Sequence, residues 1–61
     1  MRLRQNDRVK VIDATHPSYG RVGTVRELAG RGVLVKLDNY DLVTAVARTG
    51  LRKVKVMKRE D

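Results

Sequence analysis

"RVGTVRELAGRGVLVKLD", Arg21 to Asp38, decides the fold. Its second half alternates: Val33, Val35 and Leu37 fall on one face, Leu34 and Lys36 on the other. Strict alternation is the signature of a strand buried on one side. The "AGRG" before it, Ala29 to Gly32, offers two glycines for a hairpin turn that needs positive φ. The first half has strand composition but a break in phase. Val22 and Val25 are three apart, so a regular strand would point them to opposite faces. Both reach one core if the strand bends near Gly23, and a glycine inside a strand pattern is the usual mark of such a bend.

Outward from this hairpin the same punctuation repeats. "DRVKVI" sets Val9 and Val11 against Arg8 and Lys10. "DATHPSYG" breaks that pattern, because Pro17 fixes its own φ and biases His16 away from helix. After the hairpin come a turn at "NYD", a strand at "LVTAVA", a tight link at "RTG" and a last strand at "LRKVKV". Strands are therefore predicted over 8–12, 21–28, 32–38, 42–47 and 51–56. The predicted core is Val9, Val11, Val22, Val25, Val33, Val35, Leu37, Val43 and Val54. No segment carries a helical stripe. Short strands at regular spacing with glycine turns predict an all-β domain, a small five-stranded antiparallel barrel. One domain spans 1–61, with its body over about 6–56 and a frayed tail at 57–61.

The chain has 61 residues and no cysteine, so neither a disulfide nor a zinc–thiolate site can staple it. A domain of this size buries only about 60% of its unfolded surface and depends on a small aliphatic core. Charge is the strongest global signal: 14 Lys and Arg against 7 Asp and Glu give a net +7. That surplus favours a polyanionic partner, nucleic acid first. No apolar run approaches the ~18 residues of a membrane span. "MRLRQNDRVKV" has no hydrophobic block after its basic start, which argues against a signal peptide and for a cytoplasmic protein.

Asp7, Val9, Val11, Gly20, Gly23 and Val25 stand in "NDRVKVIDATHPSYGRVGTVREL" at the spacing of a KOW motif, which this stretch resembles. Asn6 occupies the place where that family often has glycine. "GVLVKLD" and "GLRKV" resemble the third and last strands of the SH3-like barrel that carries the motif. The outline is also similar to the small barrel subunit of photosystem I, a protein-docking module. The KOW resemblance implies that the loop before the bend touches RNA or a protein partner.

Asp13, His16 and Ser18 form the one local trio of acid, base and nucleophile types. Catalysis would need them in contact beside a water-excluding pocket, and a small barrel fills its own interior. No enzyme activity is therefore expected. A single histidine without cysteine cannot assemble the usual zinc sets, and "DNYD" lacks the ligand series of a calcium loop. No metal and no cofactor are expected.

What remains is basic residues with aromatics nearby. His16, Tyr19 and Arg21 share the long first loop, where flat side chains can stack on unpaired bases. Tyr19 is read equally well as a rim residue covering one barrel end. Tyr40 is read as a turn residue packing on the hairpin. Arg8 and Lys10 share the outer face of the first strand; Arg52, Lys53 and Lys55 belong to the last, with Lys53 and Lys55 on one face. If those strands pair, as the resemblance implies, the five form one basic plate. Lysines at a sheet edge also serve to block strand-to-strand aggregation. The sequence therefore predicts a noncatalytic basic module that binds RNA or a ribonucleoprotein or transcription complex. Its nucleic-acid-binding residues would be Arg8, Lys10, His16, Tyr19, Arg21, Arg52, Lys53 and Lys55. The alternative is a protein-docking barrel that binds an acidic partner. The sequence leaves the oligomeric state open.

Overall fold

The computed structural model describes residues 2–55. The chain is all-β: β1 (Arg8–Val11), β2 (Val22–Ala29), β3 (Gly32–Leu37), β4 (Val43–Ala47) and β5 (Leu51–Lys53). A single 3₁₀ turn, Arg48–Gly50, joins β4 to β5. Every strand pair is antiparallel, and the five strands form one barrel-like sheet in the order β4-β3-β2-β1-β5. The pairing of the first strand with the last is the one the sequence resemblance implies. The C-terminal end predicted for the last strand, Val56, and the tail 57–61 lie outside the described residues.

The central hairpin is as tight as its glycines allow. Ala29 pairs with Gly32, so only Gly30 and Arg31 make the turn. Gly30 has φ +59° and opens the turn in a region that favours glycine. Asn39 takes φ +67° in the β3–β4 turn, a conformation asparagine tolerates better than other side chains.

Leu3, Val9, Val11, Val25, Val33, Val35, Leu37, Val46 and Leu51 are buried together under the sheet, with Leu28 packed against them. Three predicted core residues are corrected. Val22 pairs with Lys10 and so faces outward, half-buried. Val43 pairs with Lys36 on the same outer face and is 46% exposed, while Val46, opposite Val33, points inward. In β5 it is Leu51, opposite Val11, that enters the core, and Val54 is left half-buried past the strand end. Leu3 reaches the core from the N-terminal segment. That segment is held by Asn6 N–H to the Val25 carbonyl and by Val25 N–H to the Asp7 carbonyl, each at 2.8 Å.

The bend in β2 is also corrected. Gly23 and Val25 keep regular phase, both facing inward, and the register slips at Arg26. One extra residue there sets Glu27 opposite Leu34 on the outside and Leu28 opposite Val33 on the inside. Without that bulge, the glutamate would face the core and the leucine the solvent. Gly23 serves a different purpose: a Cβ there would stand 2.5 Å from the Lys36 carbonyl oxygen, so glycine permits the close approach of β3.

Candidate nucleic-acid interface

The β1–β5 pairing collects the charges of the two strands. Lys10 stands directly opposite Arg52 on the outer face. Lys53 stands opposite Val9 on the other side and, at the strand end, turns out to Asp7 with Nζ to Oδ2 at 3.5 Å. Of the last strand's cations it is Arg52 that shares the outer face with Lys10, because Leu51 takes the inward position beside Val11. Lys55 follows the strand and is exposed. A surface groove of about 890 Å³ runs along this edge, and Lys10, Arg52, Lys53 and Lys55 all line it together with Asp7 and Arg8.

These cations differ in what they already hold. Arg8 Nη1 donates to Asp38 Oδ1 at 2.8 Å and to Thr24 Oγ1 at 2.9 Å, while Nη2 donates to the second Asp38 oxygen. The guanidinium thereby ties β1 to β2 and to the end of β3. Its hydrogen bonds pull the Asp38 carboxyl below its ordinary value, with the Arg8 and Lys36 charges adding to the effect. Lys36 Nζ donates to the Tyr40 carbonyl. Among the described residues, Lys10, Arg52 and Lys55 are in no ion pair. A like-charged pair directly across a ladder is destabilising, and among the described residues neither Lys10 nor Arg52 is ion-paired; Asp7, the carboxylate in the groove lining, pairs with Lys53.

The first loop is built differently from its sequence expectation. His16 Nδ1 accepts the Ser18 backbone N–H at 2.9 Å, which leaves Nε2 as the ring's donor, 3.0 Å from the Ala45 carbonyl oxygen. Both ring nitrogens are thus occupied, Nδ1 within the loop's own turn and Nε2 in fastening the loop to β4. The Asp13 carboxylate accepts the Thr15 hydroxyl at 2.6 Å and the Thr15 N–H at 2.9 Å. The three residues of the acid–base–nucleophile trio therefore serve the turn. Tyr19 is 59% exposed at its tip.

Arg21 leaves that loop toward the β3–β4 turn, where its guanidinium carbon stands 4.6 Å from the centre of the Tyr40 ring. Tyr40 itself is 39% exposed. The sequence reading missed this pair. The signal available was the Asn-Tyr-Asp turn, which presents its middle residue outward, but nothing local says that Arg21 arrives beside it. A second, smaller hollow of about 470 Å³ lies between the hairpin tip and the 3₁₀ turn, lined by Arg31, Arg48 and Thr49; none of the eight predicted residues is in it.

Comparison with known proteins finds no family model and no curated protein that matches this chain. Among the described residues no helix is long and apolar enough to cross a membrane.

Proposed function

We propose that this protein is a noncatalytic KOW-like module that binds single-stranded RNA, alone or within a ribonucleoprotein complex, along the β1–β5 groove. The observation that carries the reading is the Lys10–Arg52 pair: two cations directly opposite, with no carboxylate partner among the described residues, in a groove that Lys53 and Lys55 extend. Phosphates entering that groove would relieve a repulsion that the fold leaves in place. Arg8 acts as a brace for the sheet, and His16 as the fastener of the loop. The surplus of +7 supports the same partner class.

Four groove cations imply a slope of log affinity against log salt of about −3 for single-stranded RNA. Replacing Lys10 and Arg52 together with Ala is expected to reduce that slope to about −1.4 and to weaken binding of all sequences alike, since phosphates carry no sequence information. Titration of a labelled oligonucleotide at several salt concentrations reads both. A salt-independent affinity in the parent protein removes the reading. A second reading, docking to an acidic protein, draws support from Leu42 and Val43, which are 64% and 46% exposed where β4 begins. Binding to an acidic protein that survives the Lys10/Arg52 replacement and fails on Leu42→Ser would favour it.

A further inference from the structure

We infer that Tyr40, backed by Arg21, is a stacking platform for an unpaired base of the RNA whose phosphates lie on Lys10 and Arg52. The inference rests on the groove reading above and adds to it the part of the ligand that is recognised. On the outer face Arg52, Lys10 and Val22 stand side by side across three strands. The Val22 carbonyl then accepts the Asp38 N–H at 3.0 Å. Two strand spacings, about 10 Å, therefore separate Lys10 from Asp38. Tyr40 follows two residues later, and Arg21, the neighbour of Val22, stacks on its ring. The platform thus stands in the turn that follows the end of the row that begins with the cationic pair.

The ring is held in place by more than the arginine. The Tyr40 N–H donates to the Leu37 carbonyl, and the Tyr40 carbonyl accepts Lys36 Nζ. A ring fixed at its backbone and covered on one face by a guanidinium, yet 39% exposed, offers a flat surface at little ordering cost. Every base has a π face, so stacking on such a surface is tolerant of sequence but requires an unpaired base. A duplex keeps its bases stacked on one another and would use the groove alone. The ligand class is accordingly single-stranded RNA, or a loop or bulge within folded RNA. Tyr19 is more exposed, but among the described residues no cation covers its ring, and it is not assigned this part.

The test compares Tyr40→Ala, Tyr40→Phe, Arg21→Gln and Tyr19→Phe with the parent, using a single-stranded oligonucleotide and its duplex. Tyr40→Ala is expected to weaken single-strand binding by about 5- to 140-fold at every salt concentration, with the salt slope unchanged. Tyr40→Phe should bind like the parent, and duplex binding should be indifferent to all four substitutions except for the lost charge of Arg21→Gln. In Tyr19→Phe, Tyr40 is the sole tyrosine, and its fluorescence should be quenched as the single strand binds but not the duplex. If the parent binds with the expected slope but folded Tyr40→Ala binds equally well, or the fluorescence does not respond, the platform is wrong and the groove reading stands. If the parent itself binds without salt dependence, the groove reading fails, and the platform with it.

Discussion

A methyl group at Gly23 would meet the Lys36 carbonyl oxygen at 2.5 Å and Val35 Cγ1 at 2.7 Å. Neither atom can yield cheaply, because the carbonyl belongs to β3 backbone and the valine is fully buried. Gly23→Ala is therefore expected to cost about 1–3 kcal/mol, the range of overpacked cores, and Gly23→Val more. Urea denaturation measures it, and a parent-like midpoint would mean that β2 and β3 separate freely at this point. Asn6 presents the opposite case. Its φ of +76° is a conformation that suits glycine, and asparagine is one of the few other residues that adopt it readily. That accounts for asparagine at a position where the resembled motif often carries glycine: the backbone demand is kept and a different residue meets it.

At the scale of the strand, β5 is decided by which of two apolar residues faces inward. Leu51 is 2% exposed, whereas Val54 follows the strand and is half-buried. Leu51→Ala is expected to destabilise the protein by about 2–5 kcal/mol, and Val54→Ala by less than about 1 kcal/mol, as for a site outside the core. Comparable losses in thermal or urea unfolding would contradict the register of β1 with β5, and with it the alignment of Lys10 and Arg52. The free edge of β4 is handled locally. Its five residues carry no charge to discourage a second strand, but His16 occupies the Ala45 carbonyl from the neighbouring loop.

At the scale of the whole molecule, among the described residues, two carboxylates with lowered values link stability to pH. The Asp13 carboxyl is held below its ordinary 3.8 chiefly by the Thr15 hydroxyl and then by the Thr15 N–H. The Asp38 carboxyl is held below the same value chiefly by the Arg8 hydrogen bonds. A carboxylate whose folded value is depressed binds fewer protons folded than unfolded, so its stabilisation is present above the ordinary value and is lost as pH falls through the folded one. The urea midpoint is expected to fall steadily below about pH 4. Asp38→Asn should lower the midpoint near neutrality and make the acid fall shallower, because one of the two linked groups is gone. An acid fall of unchanged steepness in that variant would show that the brace between β1 and β3 contributes nothing to the pH response.

The alternation of Val33, Val35 and Leu37, the glycines of the hairpin and the absence of any helical stripe were enough to determine five strands, their order of appearance and a hairpin turn within Ala29–Gly32. These are local properties, set by period and by backbone sterics, and a sequence carries them directly. What it left open has one recurring form: apolar residues three apart, at Val22 and Val25, at Val43 and Val46, and at Leu51 and Val54. A regular strand cannot bury both members, and hydrophobicity does not say which one yields. Pairing with the neighbouring strand chose Val25, Val46 and Leu51. The same pairing set Arg52 rather than Lys53 beside Lys10, and the folding of two distant turns against each other laid Arg21 on Tyr40. Such contacts exist only once strands are in register, since residues far apart in the chain have no local term that couples them.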